Sequence, residues 1–109
     1  MGGRQSYLGE FEQIVLLAVA RLKDEAYGMG VRSAIAERTG RAVTVGAMYA
    51  TLDRLVAKGY LRSRDDAREG RTRRFFALTA PGVEALEAAR ELQQRMWDGV
   101  RLPQAGRRS

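Results

Sequence analysis

The sequence predicts a mainly α-helical domain carrying one small β-hairpin, and three patterns predict it. Apolar residues before position 58 recur at spacings of three and four, the period of a helix. Residues 60–78 alternate instead, in two runs joined by a glycine-containing link. Residues 80–102 return to helical spacing, but with a narrow apolar stripe.

The first helix is predicted over 8–22. Leu8, Phe11, Val15, Ala18 and Leu22 mark one face, yet Ile14, Leu16, Leu17 and Val19 are apolar too. A helix apolar nearly all round is buried on more than one side. In a domain this small, one side can meet its own core and the other, through Phe11 and Val15, a second subunit; a central core helix would look the same. Asp24-Glu25-Ala26 ends this helix, and Tyr27-Gly28-Met29-Gly30 opens a second, running to Arg38 with Gly40 as its left-handed stop.

Thr44 is placed to cap a third helix from Val45. Met48, Leu52, Leu55 and Val56 fall on its core face, and Gly46, Ala47, Ala50 and Arg54 on the opposite one. Small side chains there let the backbone approach another surface closely. Tyr49 lies on the flank, and Gly59 stops the helix. The runs 60–67 and 73–78 read as strands of a hairpin, with Arg68-Glu69-Gly70-Arg71-Thr72 as its arginine-rich tip. Thr79 caps a fourth helix with Pro81 in its first turn. Leu86, Ala89, Leu92, Met96 and Val100 form its seam, with Trp97 beside them and Pro103 as the expected end. Such a narrow stripe is a coiled-coil-like contact surface rather than a core face.

Composition bounds what this chain can do. Its 109 residues are 45% hydrophobic and 29% charged, one domain's worth of chain. It has neither cysteine nor histidine. Disulfides, thiolate ligands and the commonest general base are therefore missing, and a cytoplasmic protein that is not an enzyme is expected, with no cofactor and no metal. Asp65-Asp66 makes a poor metal pair, because neighbours on a strand face opposite sides. The first residues lack a signal peptide's apolar stretch, although Met1-Gly2 with Ser6 fits the bare myristoylation pattern. The longest apolar run, Ile14–Ala20, is far short of the roughly 18 residues that cross a bilayer, so no membrane partner is expected.

The net charge of +6 is unevenly placed. Residues 62–74 hold six arginines against three acids, and 101–109 hold three arginines and no acid. Clustered arginine on a basic chain is the footprint of a polyanion binder. Two helices joined by a short turn, then a hairpin, form a winged helix-turn-helix. In that motif the second helix enters the major groove of double-stranded DNA. The organisation expected is a flexible segment 1–7, a DNA-binding domain 8–79, a dimerisation helix 80–102 and a disordered basic tail 103–109.

Several stretches carry a resemblance. Tyr27-Gly28, the helix Gly46-Ala47-Met48-Tyr49-Ala50-Thr51-Leu52-Asp53-Arg54-Leu55, Lys58-Gly59-Tyr60-Leu61, Arg71-Thr72-Arg73-Arg74-Phe75-Phe76-Ala77-Leu78-Thr79 and Gly82 resemble the PadR family of bacterial transcriptional regulators. Ala47 and Met48 stand where that family usually has Thr and Leu, and Phe75-Phe76 where Tyr is common. The short last helix matches the family's small subgroup. The resemblance implies a homodimer that binds an inverted-repeat operator, usually as a repressor, with a small-molecule effector as one means of release.

Each candidate residue has a plainer reading beside the functional one. For DNA contact the sequence nominates Tyr27, Thr44, Gly46, Ala47, Tyr49, Ala50, Arg54, Arg71, Arg73 and Arg74. Tyr49 is favoured as a phosphate contact over core edge. Tyr27 is open between phosphate contact and packing, and Thr44 is foremost a cap. Arg54 is open between DNA and an ion pair with Asp53 or Asp24. Strand alternation favours Arg71 and Arg73 as outward-facing, with Arg74 next. The dimer interface is expected from Phe11, Val15, Leu86, Ala89, Leu92, Met96, Trp97 and Val100. Trp97 is favoured as interface packing; an effector, if the chain takes one, would meet Trp97 and Met96. The competing function is a winged-helix protein-interaction module without operator specificity, docking through the same small residues at 46, 47 and 50.

Overall fold

The computed structural model describes residues 8–104, as four α-helices and one antiparallel hairpin. They follow the order α1 (Glu10–Leu22), a 3-10 turn (Lys23–Glu25), α2 (Gly28–Thr39), α3 (Val45–Ala57), β1 (Leu61–Arg68), β2 (Arg71–Leu78) and α4 (Ala80–Trp97). Residues 1–7, with the expected flexible segment and myristoylation pattern, and residues 105–109 of the expected tail lie outside the described residues.

Local chemistry sets the boundaries. The Glu12 carboxylate accepts a hydrogen bond from the Gly9 amide at 3.0 Å, so α1 begins at Glu10, two residues after the expected Leu8. Gly40 takes a left-handed φ of 73° and its amide donates to the Ala36 carbonyl, closing α2. The Thr44 hydroxyl accepts from the Ala47 amide at 3.1 Å and caps α3. The Thr79 hydroxyl does the same for Gly82 at the head of α4, and also donates to the Gly59 carbonyl. The bond to Gly59 ties the end of the hairpin to the turn that follows α3.

The hairpin is tighter than its sequence suggests. Arg68 pairs directly with Arg71, leaving Glu69-Gly70 as a two-residue turn in place of the five-residue link expected. Both turn residues have positive φ, 52° and 77°, the geometry that matches the twist of the strands. The register puts Arg64 opposite Phe75, Asp66 opposite Arg73 and Arg68 opposite Arg71 on one face; Ser63 opposite Phe76 and Asp65 opposite Arg74 lie on the other.

The core lies where α1 crosses α2, α3 and β2. Leu16, Val31, Met48, Leu52 and Leu55 are fully buried in it, joined by Phe76 from the hairpin. Each such side chain contributes about 1.5–3 kcal/mol by leaving water. Val15 is among them at 0% exposure, so it serves its own core and cannot face a second subunit; the large apolar side chain that α1 leaves exposed is Leu17. Phe11 is half-buried against the core.

α4 is attached by its first half. Gly82 packs against the Tyr60 carbonyl so closely that a Cβ there would collide with the oxygen, and Leu86 rests on the core. Beyond Ala89 every residue of the helix is exposed. The radius of gyration of 16.5 Å exceeds the about 13 Å of a compact domain this long, as a projecting helix requires. α4 ends at Trp97, earlier than the Pro103 end expected: Gly99 turns left-handed at φ 78°, and Val100 lies past the helix.

Candidate nucleic-acid interface

α3 separates its faces cleanly. Met48, Thr51, Leu52 and Leu55 are buried, whereas Gly46, Ala47 and Ala50 are exposed with Thr44 just before them. Around the missing Cβ of Gly46 there is nothing within 4 Å. The helix thus offers bare backbone and methyl groups over its first two turns, beginning at the end whose amides carry partial positive charge. Asp53 continues the line of Gly46 and Ala50 at helical spacing and is also exposed.

Arg54 turns away from that line. Its Nε donates to Glu12 at 3.2 Å and its terminal nitrogen to the Thr51 hydroxyl, so its partner is neither Asp53 nor Asp24. Lys58 donates to both oxygens of the same carboxylate, at 3.2 and 3.0 Å. Burial pushes the Glu12 carboxyl up, but the Gly9 amide and the Lys58 and Arg54 cations outweigh it and hold it below its ordinary pKa of 4.5. This cluster fixes α1 against the second half of α3. Its signal was legible: Glu12 lies three and seven residues before Val15 and Val19, on the buried face of α1.

The two tyrosines occupy the mouth of α2. Tyr49 reaches from α3 over Gly28, where a Cβ would overlap its ring and hydroxyl, so only glycine accepts the tyrosine there. Tyr27 precedes α2 in extended backbone and forms an isolated bridge with Phe75. Its ring lies 5.8 Å from that of Phe75, and the Arg73 guanidinium covers it at 4.3 Å.

The wing arginines divide by face. Arg71 is exposed beside the turn. Arg73 is not simply outward-facing: it is half-buried, stacked on Tyr27. Arg64 and Arg68 stack on Phe75 at 5.1 and 4.5 Å, and both pair with Asp66; Arg68 also reaches Glu25. Burial raises the Asp66 carboxyl, but the two arginines outweigh it and leave it below its ordinary range. On the opposite face Arg74 stacks over Phe76 at 4.8 Å and binds the Asp53 carboxylate at 2.8 Å. Asp65 and Asp66 fall on opposite faces, and no group of three or more metal-ligating side chains occurs among the described residues. The described helices include none long and apolar enough to cross a membrane.

A capped helix with a bare outer face, a short turn before it and an arginine-rich hairpin beside it define a winged-helix DNA-binding protein. The family model of the PadR-like transcriptional regulators matches residues 16–88, and the chain belongs to that family. No curated protein matches it. Among solved structures it is similar to a PadR family transcription regulator from hypervirulent Clostridium difficile, at 24% identity and a TM-score of 0.67, over 81% of this chain and 91% of that one. It is similarly close to a PadR family regulator from Eggerthella lenta, at 24% identity and 0.67, over 83% and 81%. The complex structure of hsRosR-S4 aligns at 26% identity and 0.66, over 86% and 77%. The chain is a DNA-binding transcription regulator with a winged-helix fold.

Proposed function

We propose that this regulator works in the cytoplasm as a homodimeric repressor that places α3 of each subunit in successive major grooves of an inverted-repeat operator. The observation that carries this reading is the outer line of α3, where Gly46, Ala47 and Ala50 stand exposed behind the Thr44 cap. A major groove about 12 Å wide admits an α-helix, and small leading side chains let its backbone approach the base edges closely. With few hydrogen-bonding groups there, sequence is read by methyl contacts and by DNA shape. Tyr27, Thr44 and Tyr49 border the phosphates, Arg71 and Arg73 supply the wing's cations, and Arg74 lies beside them bound to Asp53. Arg54, held by Glu12, contributes its remaining edge at most.

In this reading residues 8–79 are the DNA-binding unit, 80–102 the dimerisation segment and 103–109 a basic tail. The dimer is supported by Leu92, Met96, Trp97 and Val100, apolar side chains left 47–71% exposed on and just past the free half of α4. A narrow apolar stripe of this kind is what a partner helix covers. Release by a small-molecule effector near Met96 and Trp97 belongs to the same reading.

Selection from a random duplex pool tests the operator: an enriched palindrome is expected, and a pool without one would favour the protein-interaction module. Titration of the selected duplex against salt tests the wing. Arg71→Ala should flatten the dependence of log K on log salt by about 0.9 for each phosphate that Arg71 neutralises. An unchanged slope removes Arg71 from the interface.

A further inference from the structure

The ion pair between Asp53 and Arg74 joins the two parts of the DNA-facing surface, α3 and the wing. Asp53 lies on the line of α3 that begins with Gly46 and Ala50. An unpartnered carboxylate at that place would face the phosphates with like charge. Here it is met by Arg74 at 2.8 Å, and the guanidinium is further fixed over the buried ring of Phe76. The side chains are 37% and 60% exposed for Arg74 and Asp53, so the pair adds little to folding; exposed pairs contribute about 0–1 kcal/mol. Asp65 lies directly opposite Arg74 on β1, yet the ion pair forms across elements, to α3.

Resting on the reading of α3 as the groove-entering helix, we propose that Asp53 is a specificity-determining residue that withholds the Arg74 cation from DNA phosphates. A phosphate contact binds every sequence alike, because it carries no base information. An arginine bound to a carboxylate on the recognition helix must exchange one anion for another before it can grip the backbone. Asp53 thus lowers affinity for arbitrary duplex while leaving the groove contacts of Gly46, Ala47 and Ala50 in place. Specificity is a ratio of affinities, and a lower non-specific term raises it.

The test measures binding of the wild-type protein and the Asp53→Ala, Asp65→Ala and Arg74→Ala variants, with the Asp53/Arg74 and Asp65/Arg74 double variants. Probes are a selected operator duplex and a scrambled one, each over a salt series. Asp65→Ala deletes an equal charge near Arg74 without breaking its ion pair. For scrambled duplex, Asp53→Ala is expected to bind more tightly than Asp65→Ala. Its salt slope should be steeper by about 0.9 per released arginine, which is roughly a threefold larger affinity change between 50 and 200 mM salt. With Arg74 replaced by Ala, the two aspartate variants should become equal, as a coupled pair demands. Equal effects of the two substitutions in the Arg74-containing protein would overturn the proposal, leaving only general charge. So would a loss of operator affinity in Asp53→Ala with scrambled binding unchanged, since Asp53 would then be reading a base. If the wild-type protein bound neither duplex, the failure would lie with the DNA-binding reading itself.

Discussion

Glu12 shows how a single residue couples charge to architecture. Its carboxylate accepts from the Gly9 amide, Arg54 and Lys58, joining the start of α1 to the far half of α3. Glu12→Gln keeps the shape and removes the charge, and should destabilise the fold by about 1–3 kcal/mol at pH 7. The folded carboxyl titrates below its unfolded value of 4.5. Its contribution is therefore complete above that pH and disappears as pH falls through the folded value. The stability gap between the wild-type protein and the variant should narrow as urea titrations move from pH 7 to pH 3. A gap independent of pH would mean that the charge of Glu12 does not hold these helices together.

At the scale of elements, α3 sets helix stability against a bare surface. Gly46 is helical, exposed and free of neighbours, so glycine there costs the helix up to about 1 kcal/mol relative to Ala, less than in a helix interior because it lies in the first turn. Gly46→Ala should raise the melting temperature while weakening operator binding, because the added methyl projects into the proposed groove contact. Thermal unfolding and anisotropy on the same preparation check both signs. A stabilised variant with undiminished affinity would move the groove contact off this face. The wing behaves differently. On its Tyr27-facing side Arg64 and Arg68 stack on Phe75 within the hairpin, and Arg73 stacks on Tyr27, which ties the hairpin to the mouth of α2. Arg71, beside the turn, is the wing arginine best placed to reach outward.

Across the whole molecule, the body formed by α1, α2, α3 and the hairpin is complete, whereas α4 leaves it with an uncovered apolar edge. Sedimentation of the wild-type protein at micromolar concentration should give twice the chain mass of 12.1 kDa. Met96→Asp puts a charge on a side chain that is 71% exposed here, so it should leave the body folded while shifting the mass toward a single copy. Operator affinity should fall with it, since two half-sites lie about one helical turn, roughly 34 Å, apart and need linked readers. A folded Met96→Asp protein that remained dimeric would exclude this edge of α4 from the interface.

The kind and order of this protein's elements follow from local sequence, although the hairpin turn and the end of α4 do not. Thr44, Gly40, Gly59, Thr79 and Pro81 act on their immediate neighbours, and apolar spacing separates helix from strand without reference to the rest of the chain. The outer face of α3 follows from the same local rule: Gly46, Ala47 and Ala50 lie opposite Met48 and Leu52. What packing decided was the partner of each side chain whose contacts come from far along the chain. Val15 went to the core because other elements pack against α1 on more than one side, and Arg54 found Glu12 across forty-two positions. Arg73 came to rest on Tyr27, and Arg74 on Asp53, because the two-residue turn set the strand register and the register set the faces. Periodicity says which way a side chain leaves its own backbone; what waits there depends on how separate elements are laid against one another.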